Sequence, residues 1–366
     1  MSVIESKIKE VEEEIRKTPY NKATQHHIGR LKAKLAMLRE QSESRIGSSG
    51  SGSGFNVSKS GDATVVLVGF PSVGKSTILN KITPAESEVG SYEFTTLDVV
   101  PGMMEHRGAK IQILDVPGIV RGASHGKGRG REVLAAVRSA DLILFIVDVF
   151  NIEQLKFLTN ELRQAGIRVN SRPPLVKITV RDRGGIDINT TVNLTKIDTR
   201  TIKAILSEYR IHNCNVIIRE DLDEERFIDA LAKNRVYIPA FNVLNKIDLV
   251  NEGYLREVES LIDTEYIAIS AEKNINIEKL KDKIYEKLNF IRIYMKPQGK
   301  KADMVEPLIV MRGMKIEGVS MKIHRDFREK FRHARVWGKS VSFPGQRVGL
   351  DHEVKDGDIV SIVVKR

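Results

Sequence analysis

The run Gly69-Phe70-Pro71-Ser72-Val73-Gly74-Lys75-Ser76 fits the phosphate-cradling pattern G-x-x-x-x-G-K-[ST], and it follows directly on an apolar stretch, residues 64–69 (TVVLVG). That order admits few folds. A buried strand must enter the loop, a helix must leave it, and the first turn of that helix must face the loop's concave side. Gly69 and Gly74 let the backbone turn tightly, so that successive N–H groups point at one anion. Lys75 offers a positive charge to the β- and γ-phosphates of a nucleotide, and Ser76 a hydroxyl to Mg²⁺. Thr77 closes the phosphate-contacting run.

Four further motifs follow in order: Phe94-Thr95-Thr96, Asp115-Val116-Pro117-Gly118, Asn245-Lys246-Ile247-Asp248 and Ser270-Ala271. Asp115 ends an apolar strand, where a carboxylate can hold a Mg²⁺-bound water beside the γ-phosphate. Gly118 can give its N–H to that phosphate because no side chain intrudes. Thr96, with Thr95 as the fallback, is placed to complete the Mg²⁺ shell in a segment that orders with triphosphate. Asp248 can accept two hydrogen bonds from guanine N1–H and N2–H₂, a donor pair that adenine lacks, while the Lys246 stem covers the base. Ser270-Ala271 closes the base pocket. Lys75, Thr96 and Gly118 are the expected catalytic set; Ser76, Thr96 and Asp115 (through water) are the expected Mg²⁺ ligands.

Ile119 stands where small switch GTPases place the glutamine that orients attacking water, so slow intrinsic turnover is expected. The next segment, residues 121–131 (RGASHGKGRGR), is glycine-rich and basic, and His125 is an outside candidate for positioning water. A second match to the base motif, Thr195-Lys196-Ile197-Asp198, does not follow an apolar strand in register and reads as coincidence.

Short, nearly continuous apolar runs at 64–69, 110–114, 141–147, 241–244 and 266–269 read as strands buried on both faces of a parallel sheet. Helical stretches between them, such as 75–81 and 131–139, make the region an α/β, doubly wound domain. Asp115 and Asn245 stand 130 residues apart, too far for a minimal nucleotide fold. The surplus between residues 167 and 236 carries its own strand-like runs (175–180, 214–218) and helix-like runs (200–209, 223–233), which predicts an inserted α+β subdomain.

Residues 2–45 read as two amphipathic helices around Thr18-Pro19, the second over 22–39 with Ile28, Leu31, Leu35 and Leu38 on one face. Such a hairpin either packs on another domain or meets a partner. The Ser/Gly run 47–54 reads as a linker. The expected division is a hairpin over 1–46, a linker over 47–62, a nucleotide domain over 63–166 and 237–290, the insert over 167–236, and a tail over 291–366. In the tail, 307–310, 340–343 and 358–364 read as strands and 324–333 as a charged helix, together a small β-grasp module.

A single cysteine, Cys214, excludes an internal disulfide and fits a reducing cytoplasm. No apolar run reaches membrane-spanning length, and the eight histidines form no zinc pattern. The net charge is +11, and residues 291–366 hold 17 Lys and Arg against 9 Asp and Glu. Lys322, Arg325, Arg328, Lys330, Arg332, Arg335 and Lys339 lie close together there, interleaved with Phe327, Phe331 and Trp337. Cations bind phosphates and aromatics stack on bases, although Phe327 and Phe331 also suit a small core.

Residues 69–80 (GFPSVGKSTILN), 91–97 (SYEFTTL), 115–122 (DVPGIVRG) and 126–134 (GKGRGREVL) strongly resemble the Obg superfamily, and within it the developmentally regulated GTP-binding protein family. The resemblance spans essentially the whole chain. It implies a P-loop GTPase domain with an N-terminal helical hairpin, an insert of the ribosomal-S5-domain-2-like type and a C-terminal TGS domain of β-grasp fold. A hydrophobic residue after the DxxG motif is usual in that family, so Ile119 agrees. Thr83-Pro84-Ala85 departs from the glycine-containing turn expected after the first helix. The resemblance also implies GTP and GDP as ligands with Mg²⁺, association with ribosomal RNA or tRNA in translation, and a stabilising partner protein. Some such proteins are stimulated by potassium, although the GTPases best known for it often carry Asn where Ser72 stands. The competing expectation is a non-enzymatic ribosome- or RNA-binding scaffold whose bound GTP is structural.

Overall fold

The computed structural model describes residues 3–47, 60–83, 100–117, 130–297, 299–324 and 326–365. In chain order the elements begin with helices α1 (Val3–Lys17) and α2 (Gln25–Gly47). The nucleotide region follows with β1 (Ala63–Val68), α3 (Lys75–Ile82), β2 (Val100–His106), β3 (Ala109–Asp115), α4 (Gly130–Arg138), β4 (Leu142–Asp148) and α5 (Gln154–Gln164). Next come β5 (Ile167–Val169), β6 (Val176–Val180), β7 (Ile186–Thr190), α6 (Thr199–Glu208), β8 (Cys214–Ile218), α7 (Glu224–Leu231) and β9 (Val236–Ile238). The chain then forms β10 (Ala240–Asn245), α8 (Glu252–Ser260), β11 (Tyr266–Ala268) and α9 (Ile277–Leu288). The tail contains β12 (Phe290–Met295), β13 (Leu308–Met311), α10 (Ile316–Ile323), α11 (Asp326–Glu329), β14 (Phe331–Trp337), β15 (Gln346–Val348) and β16 (Ile359–Val364).

These elements sort into two compact units. One contains α1, α2 and residues 161–238; the other contains residues 60–117, 130–160 and 239–365.

In the first unit, Pro19 ends the helical run and Asn21 builds the turn. The Asn21 Oδ1 accepts from the amides of Ala23 and Thr24, and the Thr24 hydroxyl donates to the Pro19 carbonyl at 2.6 Å. Ala33 and Ala36 of α2 lie in one core with Ile202, Ile205 and Leu206 of α6 and with Cys214 and Val216 of β8. Small residues permit this close approach. A Cβ at Gly29 would stand 2.8 Å from Thr201 Cγ2. The hairpin therefore packs on the inserted segment, and α2 runs eight residues past the expected end at Arg39. The larger predicted stripe is less enclosed: Leu35 and Leu38 are only half-buried. Glu224, buried at the start of α7, gathers the Tyr20 hydroxyl at 2.9 Å, the Gln25 amide at 2.7 Å and Lys32 at 3.5 Å. The insert's sheet has the order β6-β8-β7, and β7 is a strand that the sequence reading missed.

The second unit holds the nucleotide fold. Its sheet has the order β11-β10-β4-β1-β3-β2, parallel except for β2. Every residue of β1, β4 and β10 is buried, as the continuous apolar runs require. β1 pairs with β3 on one side and β4 on the other, so the chain crosses over in both directions from it. Ligands of open α/β sheets bind at such a switch point, beyond the carboxyl ends of the strands.

The tail forms a second sheet in that unit, order β13-β12-β16-β14-β15, with a parallel β12–β16 pair at its centre. Ile316 and Val319 of α10 pack on one face with Ile291, Ile293, Val336 and Val360. The tail differs from its sequence pattern in two places. The charged helix expected over 324–333 shrinks to the four residues of α11, and Phe331–Trp337 is a strand. Its alternation turns Ala334 and Val336 inward, and pairing with β16 outweighs local charge patterning. The strand expected over 340–343 is instead a turn. Ser340 N–H bonds the Asp358 carboxylate and Ser342 N–H bonds the Gln346 side chain, so these amides have side-chain rather than ladder acceptors.

Candidate nucleotide site

β1 delivers the chain to Gly69, where a Cβ would stand 2.4 Å from the Ile146 carbonyl oxygen. No other residue fits. Ser72 and Gly74 then take positive φ angles of 64° and 95°, which curl the loop. A Cβ at Gly74 would meet Asn245 Nδ2 at 2.3 Å. Gly74 caps α3 without any side-chain hydrogen bond, so the first-turn amides remain unspent by a cap and face an anion favourably. Val73 is buried beneath the loop, while Pro71, Ser72 and Ser76 are exposed and Thr77 is half-buried. Phe70 packs on Phe157, ring centroids 5.5 Å apart.

Lys75 is buried, and its ammonium donates to the carbonyls of Gly69 at 3.2 Å and Phe70 at 3.0 Å. Burial pushes its pKa below the usual lysine range, and the Asp115 carboxylate pulls it partly back. Ser76 Oγ donates to Asp115 Oδ2 at 2.6 Å. Asp115 is the last residue of β3, so this contact joins the end of one strand to the first turn of α3. A hydroxyl and a carboxylate at this separation are hard oxygen donors, the type Mg²⁺ takes beside phosphate. Val116 is buried and Pro117 half-buried just beyond.

The base-side motif comes from the end of β10. Asn245 is buried; its Nδ2 donates to the Val73 carbonyl at 2.9 Å and its Oδ1 accepts from Ala271 N–H at 3.1 Å. Lys246 has a φ of 66° and extends its ammonium to within 3.3 Å of Asp148 Oδ2. Asp248 is half-buried, and no group among the described residues hydrogen-bonds its carboxylate. Ser270 is fully buried, and its Oγ accepts from Lys273 N–H at 3.1 Å. Thus Asn245, Lys246, Asp248, Ser270 and Ala271 gather beside the phosphate loop.

Asp148 belongs to none of the sequence motifs. It closes β4 as Asp115 closes β3, and a carboxylate ending a buried apolar strand was the available signal. Its other oxygen accepts from Phe150 N–H and Asn151 Nδ2 at 3.1 and 2.8 Å. Phe94, Thr95, Thr96, Gly118, Ile119 and His125 lie outside the described residues. The second motif match is a helix start: Asp198 caps α6, accepting from Thr201 N–H at 2.6 Å, and Ile197 is buried in the insert's core. Among the described residues no cluster of three or more His, Cys, Asp or Glu could hold a metal, and no helix is long and apolar enough to cross a membrane.

A glycine-turned phosphate loop at the switch point, a hydroxyl–carboxylate pair beneath it and an Asn-Lys-x-Asp strand end beside it define a P-loop GTP-binding domain. Residues 64–181 match the family described as 50S ribosome-binding GTPase, 183–290 the C-terminal region of the MMR_HSR1 domain, and 291–364 the TGS domain. The chain is 61% identical to an uncharacterised GTP-binding protein of Methanocaldococcus jannaschii, over 99% of this chain and 93% of that one. It is 48% identical to GTP-binding protein 1 of Schizosaccharomyces pombe and 45% identical to developmentally-regulated G-protein 3 of Arabidopsis thaliana, each over the full length of both chains. The chain belongs to the developmentally regulated GTP-binding protein family.

Proposed function

We propose that this protein hydrolyses GTP to GDP and phosphate as a Mg²⁺-dependent switch, and that it works on the ribosome or its RNA in the cytoplasm. The 2.6 Å contact between Ser76 Oγ and Asp115 Oδ2, directly below the phosphate loop, carries this reading. The loop amides and the N-terminus of α3 would bind the phosphates, and Lys75 would exchange its two carbonyl partners for phosphate oxygens. Bound Mg²⁺ would neutralise phosphate charge there, with Ser76 and Thr96 as direct ligands and Asp115 holding a bound water. Asp248 would accept from guanine N1–H and N2–H₂, and Lys246 would cover the base. Gly118 would give its amide to the γ-phosphate.

Ile119 has no group to orient water, so slow turnover is the natural consequence, with a partner protein, the ribosome or K⁺ supplying the missing positioning. The family description as ribosome-binding and the basic C-terminal region support the ribosomal setting. The test is GTP hydrolysis by the purified protein, with and without ribosomes, in matched potassium and sodium buffers. A slow rate that rises with ribosomes supports the switch. A rate equal to buffer under every condition, with tight GTP binding retained, replaces it with a scaffold that uses GTP structurally.

A further inference from the structure

β4 and β10 run parallel, and their register sets Asp148 opposite Asn245, the last residue of each strand. Val149 N–H donates to the Asn245 carbonyl at 3.2 Å and joins the two strand ends. Lys246 is therefore delivered beside Asp148 by register. The Asp148 carboxylate divides its oxygens between two tasks. Oδ1 accepts from Phe150 N–H at 3.1 Å and from Asn151 Nδ2 at 2.8 Å, an Asx turn that fixes the side chain. Oδ2 accepts from the Lys246 ammonium at 3.3 Å.

This pair is more enclosed than a surface bridge, the kind that contributes little. The Asp148 side chain is 9% exposed and that of Lys246 31%. Lys246 also holds a φ of 66°, a costly angle for a residue with a side chain, and one that persists where the surroundings impose it. Two residues on, in the 3-10 turn Ile247–Leu249, Asp248 has no ion-pair or hydrogen-bond partner among the described residues. An ammonium on a long flexible stem, once released, takes the nearest carboxylate as its partner. Two carboxylates therefore compete for Lys246, and Asp148 holds it. Were Asp248 to win, its lone pairs would be spent on a neighbour and lost to the N–H groups of a base.

We propose that Asp148 is a positioning residue for guanine binding. It ties the Lys246 ammonium back, which keeps the lysine stem extended beside the base and keeps the Asp248 carboxylate free to accept from it. The proposal rests on the reading of Lys246 and Asp248 as the guanine contacts and adds the group that holds them apart.

The experiment measures the affinity and dissociation rate of fluorescent GDP on the full chain, with unlabelled GDP and ADP as competitors. D148N keeps the shape of the side chain and the two bonds accepted by Oδ1 but removes the charge. Its GDP affinity is expected to fall about tenfold, the scale of one charge-assisted hydrogen bond, with faster dissociation. K246M keeps an unbranched stem without an ammonium, so Asp248 stays free and the loss is smaller than for D148N. The double variant D148N/K246M is expected to bind like K246M, because removing the Asp148 charge does no harm once the ammonium is gone. Melting temperature gives a second readout that does not depend on D148N folding alone. K246M leaves a nearly buried carboxylate without its cation and melts lower, and adding D148N raises the melting temperature again. GDP binding by D148N equal to wild type overturns the proposal. So does a D148N loss of the same factor with and without K246M, which assigns Asp148 to the strand-end turn, or a K246M melting temperature that D148N does not raise. These results leave the guanine reading standing. Fluorescent GDP displaced from wild type as readily by ADP as by GDP overturns that reading and the proposal with it.

Discussion

The side-chain amide of Asn245 donates to the backbone carbonyl of Val73 at 2.9 Å, so the residue that opens the base motif also fixes the phosphate loop. The other end of the same amide accepts from Ala271 N–H at 3.1 Å. One buried side chain thus spans the phosphate and base halves of the site, and Gly74 leaves the room it needs. The end of β10, the phosphate loop and the Ser270-Ala271 turn are tied together through it.

Asn245→Ala leaves a buried carbonyl and a buried amide without partners, at about 1–3 kcal/mol each. Guanine-nucleotide affinity is expected to fall about tenfold or more, for GDP and GTP alike, because both halves loosen together. Titration of a fluorescent guanine nucleotide measures it. Unchanged affinity for both nucleotides would show that the loop keeps its shape without the amide.

Asp248 and Asp198 sit in matching tetrapeptides and should respond oppositely. Asp248→Ala is expected to abolish discrimination of GTP against ATP with little change in unfolding free energy. Asp198→Ala removes the α6 cap, costs about 1 kcal/mol of stability and leaves nucleotide affinity alone. Hydrogen bonding to Thr201, whose N–H lies 2.6 Å from the carboxylate, holds the Asp198 carboxyl below the usual carboxylate range. A depressed folded pKa means that the cap is fully present above about pH 4 and is lost as pH falls through the folded value. Urea unfolding curves of wild type and Asp198→Ala should therefore converge in acid.

Asp115→Asn keeps the shape beneath the phosphate loop but removes the charge. If Asp115 acts through a metal-bound water, the Mg²⁺ concentration that half-saturates GTP binding rises about 10–100-fold. GDP affinity in chelator should change far less. Equal losses with and without Mg²⁺ would assign Asp115 to holding the loop alone.

Gly29→Leu tests the hairpin's seat on the insert. A Cβ at that position already stands 2.8 Å from Thr201 Cγ2, so a larger side chain must displace α2 or α6. Overpacking of this kind costs about 1–3 kcal/mol. Thermal unfolding should shift down while nucleotide affinity stays at the wild-type value.

Much of the nucleotide domain is legible in the sequence. The tight turns at Gly69 and Gly74 and the first helical turn at Ser76 follow from backbone reach, which acts over a few residues and leaves fixed spacings. The buried parallel strands announced themselves because burial on both faces demands unbroken apolar runs. The tail was harder. Phe331–Trp337 carries two arginines and a histidine, so its charge pattern resembles a solvated helix, and only pairing with β16 makes it a strand.

The ligand class is written locally, since the phosphate loop and the Asn-Lys-x-Asp motif are short-range chemistry in a set order. Only folding brings Asn245 against Val73 across 172 positions of chain, Lys246 to Asp148, and Arg335 opposite Arg347. Each of these joins residues whose separation along the chain carries no pattern. Their proximity comes from strand order and register, which are set by the burial of whole faces rather than by any neighbouring residue.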